Sequence, residues 1–269
     1  EFIGLRPGMR GTWVESIVIR AHPGATQEDL WGRPRDLSQA SGQDILQAIW
    51  DTGMVGLGGA AFPTHAKLSV PKQAKVHTLV VNGCECEPYL TCDHRVMVEH
   101  AADLITGIRY AMRATGAVRA IIGVEDNKPE AIAALEAAVR ARGESFSVVA
   151  VPTRYPAGGA KQLIRVLTGK EVPAARRSTD LGVQCFNVAT AYTAWRAIAH
   201  GEPVVSRLVT LTGNVRQPRN YEALIGTPMG ELLAVAQPNP DTDGIIMGGP
   251  MMGFLVPDRD APVVKATNC

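Results

Sequence analysis

From His77 to Val151 the chain alternates three short β-branched runs with two long helical patterns. His77-Thr78-Leu79-Val80-Val81 reads as a short buried strand. Ala120-Ile121-Ile122-Gly123-Val124 is a second strand, and Phe146-Ser147-Val148-Val149-Ala150-Val151 a third. Between them, residues 95–114 carry the pattern of one long helix. The next helix begins at Pro129, a favourable first helical position, and stops before Gly143. Helices over about 159–168 and 185–200 follow. Strands that alternate with helices at this spacing predict an α/β fold, a mainly parallel sheet flanked by helices.

The flanks of this region differ from it. A helix is expected from Ser41, with Asp44 three residues on as a carboxylate variant of the capping box. Ile45, Ile49 and Trp50 fall on one face of it. Before it, Gly11-Thr12-Trp13-Val14-Glu15-Ser16-Ile17-Val18-Ile19 alternates like a strand, and glycine, proline and polar residues run up to Gln39. After Gly201, Arg207–Gly213 reads as a strand ending in a turn. Thr227-Pro228 starts a short helix through Leu233, and Ile245-Ile246-Met247 leads into Gly248-Gly249-Pro250. A chain of 269 residues is long enough for two domains and a buried core. The expected division is a remnant of a β-rich domain over 1–40, the α/β domain over 41–200, and a small α+β domain of β-grasp type over 201–269.

Lysine plus arginine (27) nearly equals aspartate plus glutamate (26), which gives no electrostatic reason to expect nucleic acid or an anionic membrane as partner. No apolar run reaches the roughly 18–20 residues that span a bilayer, so no direct membrane span is expected. The start, Glu1-Phe2-Ile3-Gly4, has neither an initiator methionine nor the features of a signal peptide, as expected of a fragment or a processed product. The cysteines are Cys84, Cys86, Cys92, Cys185 and Cys269; an odd count fits a reducing compartment better than a disulfide framework.

Ligands of open parallel sheets bind beyond the carboxyl ends of the strands. The first strand runs into Asn82-Gly83-Cys84-Glu85-Cys86-Glu87-Pro88, the second into Glu125-Asp126-Asn127-Lys128-Pro129, and the third into Pro152–Gly159. The strongest local signal lies earlier, in Gly56-Leu57-Gly58-Gly59-Ala60-Ala61-Phe62-Pro63-Thr64-His65-Ala66-Lys67. Gly56, Gly58 and Gly59 permit positive φ and leave backbone amides uncovered, and such amides can cradle an anion. Lys67 can add a charge-assisted bond to phosphate, and Phe62 offers a face to a planar ring. The same glycines also suit a plain turn between a helix and the domain core.

Two nucleotide motifs are excluded. A dinucleotide fingerprint follows a strand and continues as G-x-G-x-x-G, whereas this loop follows a helix. Gly158-Gly159-Ala160-Lys161-Gln162 lacks the last glycine and the hydroxyl of a Walker loop. Cys84-Glu85-Cys86 with Cys92 departs from C-x₂-C metal spacing, so no metal is assigned and buried thiols are the expectation. Glu85 and Glu87 suit either contacts to a polar cofactor or a solvated loop. Met247, Met251 and Met252 are expected as core filler, and His65 as a loop residue without a partner.

Taken together, Gly56–Lys67, Asn82–Arg95, Tyr155–Leu163 and Phe186–Ala191 resemble, in order, the flavin-binding subunit of respiratory complex I. Glu85–Thr91, Val124–Pro129 and Tyr155–Leu163 resemble more closely the C subunit of Rnf-type electron transport complexes, over roughly 41–269. That resemblance implies non-covalently bound FMN with NADH as redox partner. It implies that Gly56, Gly58, Gly59 and Lys67 hold the phosphate and ribityl chain, and that Phe62 stacks on the nicotinamide nucleotide. Asn82, Cys84 and Glu85 match contacts after the first strand, with a cysteine where the relative is acidic. Tyr155 and Gly158 match a pair beside the flavin, Asn187 and Thr190 a later motif, and Glu87 is assigned to NADH.

The resemblance further implies electron flow between NADH and iron–sulfur carriers or ferredoxin. The setting is a membrane complex on the cytoplasmic face of the bacterial inner membrane, reached through partner subunits. The family's two 4Fe-4S clusters are held by a cysteine-rich segment beyond the position of Cys269, so their ligands are absent here. Gly159 and Ala160 replace two glutamates, which removes carboxylate contacts to the nicotinamide nucleotide. Two other readings follow from the same fold: a cobalamin reductase of a microcompartment, and a non-catalytic docking role.

Overall fold

The computed structural model describes residues 2–7, 13–20, 22, 24, 39–70 and 73–269. An antiparallel hairpin comes first: β1 (Phe2–Pro7) pairs with β2 (Trp13–Val18), Phe2 opposite Val18. Gly11 and Thr12, which begin the strand expected over 11–19, lie outside the described residues, as do 25–38. Two compact units follow from the contacts. The larger takes in the described residues of Gly32–Cys86 and Thr91–Val204. The smaller takes in those of Glu1–Trp31 together with Glu87–Leu90 and Val205–Cys269.

In the larger unit, α1 (Gly42–Asp51) starts as its sequence dictates. Ser41 Oγ accepts from Asp44 N at 3.2 Å, and Asp44 accepts from Ser41 N at 2.8 Å, which closes the capping box. Ile45, Ala48 and Ile49 are buried, but Trp50 is not on that face. Trp50 is exposed and meets His65 edge-on at 4.2 Å between ring centroids, so His65 does have a partner. A short helix, α2 (Thr64–Leu68), follows the glycine loop.

Four parallel strands then form one sheet: β3 (Thr78–Gly83), β4 (Arg119–Glu125), β5 (Ser147–Val151) and β6 (Val183–Asn187), in the order β5-β4-β3-β6. Leu79, Val80 and Val81 of β3 are all fully buried, because both faces of the sheet are covered. On one face Val80, Val151 and Val183 pack with Leu163 and Ile164 of α6 (Ala160–Thr168). Leu79 and Val81 point the other way by strand alternation, to the face covered by α4 (Ala101–Thr115) over β4 and α7 (Val188–Ala199) over β3. Crossover helices α3 (Cys92–Glu99) and α5 (Pro129–Ala141) complete the layer, and Pro129 opens α5 as expected.

Two expectations change. The single helix over 95–114 is two helices, broken at His100, whose ring stacks on Tyr192 of α7 at 4.4 Å. That contact is tertiary and leaves no trace in hydrophobic period. The helix expected over 185–200 is preceded by a strand, β6, whose five residues run without a turn into α7. A short apolar run joined directly to a helix carries no period of its own.

The smaller unit pairs β7 (Ser206–Leu211) with β8 (Arg219–Leu224), adds α8 (Met229–Val235), and pairs β9 (Ile246–Met247) with β10 (Phe254–Leu255). Val209, Ala223, Met229, Leu232, Met247 and Val263 form its core. Met247 is thus core filler, whereas Met251 and Met252 are exposed. The strand β8 has a polar sequence, Arg-Asn-Tyr-Glu-Ala-Leu, and is set by its pairing with β7 rather than by alternation.

The layer of α4 on α7 depends on one small residue. A Cβ at Gly107 would overlap the carbonyl oxygen of Ala191. Overpacking a tight contact costs about 1–3 kcal/mol, which exceeds the roughly 1 kcal/mol that alanine gains in a helix. Gly107→Ala is therefore expected to lower the urea midpoint of the purified chain, whereas an unchanged midpoint would mean the helices can part at this crossing.

Candidate functional site

The chain steps outward from β3 to β4 to β5 and then returns to place β6 on the other side of β3. This reversal makes a switch point between β3 and β6, where open α/β sheets form a crevice at the carboxyl edge. Asn82 and Asn187 end these strands directly opposite each other in the register. Asn82 Nδ2 donates to Gly158 O at 2.8 Å, and its Oδ1 accepts from Cys84 N at 3.0 Å. The side chain thus joins the loop after β3 to the loop after β5. Gly158 must be glycine for this approach, since a Cβ would stand 2.5 Å from Cys84 O. Tyr155, in the same loop, is 40% exposed.

The glycine loop closes on itself. Val55 bridges Pro63, Gly56 N donates to Phe62 O at 2.8 Å, and Thr64 N donates to Met54 O at 3.1 Å. Gly59 takes φ 100°, a left-handed conformation that glycine adopts without strain. Leu57 is buried, and its N–H donates to Thr190 Oγ1 at 2.9 Å. Gly58 lies against Asn187, whose Cγ and Nδ2 would sit 3.3 Å from an added Cβ. The N–H groups of Gly58, Gly59 and Ala60 make no hydrogen bond among the described residues, and all three residues are exposed. Phe62 closes the loop with its ring 55% exposed. Lys67, in α2, is half-buried, and its ammonium makes no hydrogen bond or ion pair among the described residues. Successive free amides can cradle an anion, and an uncommitted ammonium can add a charge-assisted bond to one.

Behind this edge sits a buried polar cluster. Glu85 accepts from Asp93 N at 2.8 Å and His94 N at 3.2 Å, which satisfies amides at the start of α3. Asp93 Oδ2 accepts from Asn187 Nδ2 at 2.6 Å, and Asn187 Oδ1 accepts from Thr190 N at 3.0 Å and Thr190 Oγ1 at 3.1 Å. Burial, and then the Asp93 charge, push the Glu85 carboxyl up to about 7. Lys128 pairs with Glu125 at 2.6 Å with both buried, while Glu125 Oε1 and His94 Nε2 have no hydrogen-bond partner among the described residues. Cys84 turns its thiol inward toward Gly123 O at 3.7 Å, and burial, then the Glu125 charge, raise it to about 12. Cys84, Cys92 and Cys185 are buried, and no disulfide joins cysteines among the described residues. Donor atoms of Glu85, Cys92 and Asp93 lie within 4.8 Å of one another, but both carboxylates already accept hydrogen bonds.

Glu87 belongs to the smaller unit. Its Oε2 accepts from Met251 N at 3.0 Å, and Oε1 is buried without a partner. A Cβ at Gly249 would come within 2.7 Å of this carboxylate. The same unit encloses a cavity of about 330 Å³ lined by Val209, Leu211, Leu232, Ile245 and Met247.

The larger unit thus brings together the glycine loop, Asn82, Glu85, Gly158, Asn187 and Thr190. Asp93 joins them and was not expected, because its partner Asn187 is 94 residues away and sits on the unexpected strand β6.

Residues 49–196 match the family model described as the Nuo51 FMN-binding domain, and residues 208–255 match the SLBB domain. The chain belongs to the Nuo51 FMN-binding family. Its curated relatives include the C subunit of the ion-translocating oxidoreductase complex of Erwinia tasmaniensis, 46% identical over 93% of this chain and 33% of that protein. The corresponding protein of Pseudomonas aeruginosa is 47% identical over 98% of this chain and 34% of that protein. The chain thus spans about a third of the length of these relatives, and the expected kinship with C subunits of ion-translocating complexes holds. A solved structure of similar fold is an NAD+-reducing NiFe-hydrogenase in the H2-reduced state. Its TM-score is 0.74 at 25% identity, over 86% of this chain and 47% of that one. No helix among the described residues is long and apolar enough to cross a membrane.

The residues matched to the FMN-binding domain include the glycine loop, and its free amides and Lys67 have the donor chemistry a phosphate monoester requires. The buried Glu85 carboxyl makes its own prediction. Its folded pKa of about 7 lies above the ordinary 4.5, so the native state binds more protons between those values. Its stabilising contribution is full below pH 4.5 and is lost as pH rises through 7, a loss of roughly 3 kcal/mol at most. In urea unfolding from pH 5 to pH 8, Glu85→Gln should gain stability relative to the parent as pH rises. A constant difference would show that Glu85 is charged in the native state throughout.

Proposed function

We propose that this chain is the FMN- and NADH-binding part of an electron-transfer subunit. The observation that carries the reading is the run of uncommitted amides at Gly58, Gly59 and Ala60, in a loop tied to the end of β6 through Thr190 and Asn187, within an FMN-binding domain. Gly56, Gly58, Gly59 and Lys67 would hold the phosphate and ribityl end. Asn82, Cys84, Glu85, Tyr155, Gly158, Asn187 and Thr190 would frame the rest of the cofactor. Asn82 and Asn187 keep the edge open by committing their amides to backbone and side-chain partners. Cys84 and Glu85 contribute mainly through the backbone they shape, since the thiol and carboxylate are both buried. Phe62 and Glu87 are assigned to NADH, Phe62 through its exposed ring. Bound flavin supplies the exchange between hydride transfer and single-electron steps, while the protein supplies position and electrostatics.

The names of the relatives support a place in a larger ion-translocating complex. In that assembly the electrons would pass between NADH and iron–sulfur carriers or ferredoxin. The chain would sit at the cytoplasmic face of the inner membrane, held by partner subunits.

The absorption spectrum of the purified chain after reconstitution with FMN tests the reading. Lys67→Ala removes a charge-assisted hydrogen bond, worth about 1.5–3 kcal/mol, and should weaken FMN binding roughly ten- to hundredfold. Gly58→Val should do the same by driving a branched side chain into Asn187. Flavin content equal to the parent in both variants would place the cofactor elsewhere, and a parent chain that takes up no FMN would favour a docking role. The nicotinamide assignment has a separate measurement. Phe62→Ala should retain flavin but raise the NADH concentration for half-maximal bleaching roughly two- to tenfold, the worth of one aromatic stack. An unshifted titration would release Phe62 from that role.

A further inference from the structure

The glycine loop is held from beneath by a relay of hydrogen bonds whose direction is fixed at one end. We propose that Asp93 is a positioning residue for the anion-binding loop, acting through Asn187 and Thr190 on the amide of Leu57. The inference rests on reading that loop as the FMN phosphate cradle.

An ionised carboxylate can only accept, so the group Asn187 turns toward Asp93 must be its Nδ2. That choice points Oδ1 at α7, where it accepts from both Thr190 N and Thr190 Oγ1. Asn187 is the N-cap of α7, so its orientation also satisfies a helix amide that would otherwise lack a partner. With its proton committed to Asn187, the Thr190 hydroxyl offers a lone pair to Leu57 N at 2.9 Å. Thr190 is buried, so little water competes for that lone pair. Leu57 directly precedes the free amides of Gly58, Gly59 and Ala60, and Gly58 rests on the Asn187 side chain itself. The relay therefore sets both the direction and the height of the amides that face the anion.

Asp93 is itself held at the start of α3, where its N–H donates to Glu85 Oε1 at 2.8 Å. The chain Glu85, Asp93, Asn187, Thr190, Leu57 joins α3, β6, α7 and the loop through short bonds. Remove the acceptor at position 93 and Asn187 Nδ2 loses the partner that holds the amide in place. Its Oδ1 is then held only by Thr190, so the cap and the loop tether loosen together. Asparagine at 93 can still present an oxygen, so the relay survives without the charge.

The test uses the whole 269-residue chain with two readouts. Hydrogen exchange at the Leu57 amide is followed without FMN, and FMN affinity is measured by fluorescence quenching. Asp93→Ala should speed Leu57 exchange roughly tenfold and weaken FMN by a similar factor, the worth of one hydrogen bond to a charged group. Asp93→Asn should return both to near the parent values. Asn187→Ser should match Asp93→Ala, and the double variant should add little to either, because the residues act in series. Should Asp93→Ala fail to fold, Asn187→Ser against Asp93→Asn decides the same point. Unchanged Leu57 protection in a folded Asp93→Ala or Asn187→Ser chain, or full additivity in the double variant, overturns the proposal. A parent chain that takes up no FMN removes the reading of the cradle, while the exchange data still decide the relay.

Discussion

Pairing of β6 with β3 sets Asn187 opposite Asn82 near the carboxyl edge of the sheet, and the proposed site depends on that register. A slip of β6 by one residue would turn Asn187 to the other face, away from Asn82. Two features resist such a slip. Val183 and Cys185 of β6 are packed in the apolar layer with Leu163 and Ile164, and Phe186 is fully buried on the other side. Asn187 is also the N-cap of α7, so the strand end and the helix start are one residue. The proposed site thus lies at the point where the chain reverses direction across the sheet, where open α/β sheets bind their ligands.

The edge is stabilised by polar groups at least half-buried and fully engaged. Asn82, Asn187 and Glu85 each spend their hydrogen-bonding capacity on neighbouring chain segments, which leaves the exposed amides of Gly58, Gly59 and Ala60 as uncommitted donors among the described residues. Burial takes the Glu85 carboxyl out of water, the Asp93 charge adds to that, and the raised pKa of Glu85 is the consequence. The nearby Lys128 and Glu125 form an ion pair that is almost wholly removed from water. Such a pair adds little net stability, but removal of one partner would leave an unmatched charge.

Local chemistry made several elements legible. Ser41 with Asp44 marked the start of α1, Pro129 the start of α5, and the β-branched runs gave β3, β4 and β5. Other elements have no local signal. The break at His100 answers to a ring on α7, β8 answers to β7, and β6 merges into α7 without a turn. Trp50 fell on the apolar face by period yet lies exposed against His65, because an aromatic ring can find a partner at the rim as well as in the core. Of the candidate site, the glycines, Lys67 and Phe62 stood in one continuous stretch and could be read together. Asp93 could not, since a carboxylate in a helix start has many ordinary uses.

The sequence by itself determined the α/β class, the glycine-rich loop and the kinship with FMN-binding subunits, because strand period, helix caps and clustered motifs are properties of neighbouring residues. Only the tertiary structure decided the order β5-β4-β3-β6, the meeting of Asn82 with Asn187 and Gly158, and the relay from Asp93 to Leu57. These join residues far apart in the chain, and hydrogen-bond partners at that range are chosen by packing and register, which no local pattern encodes.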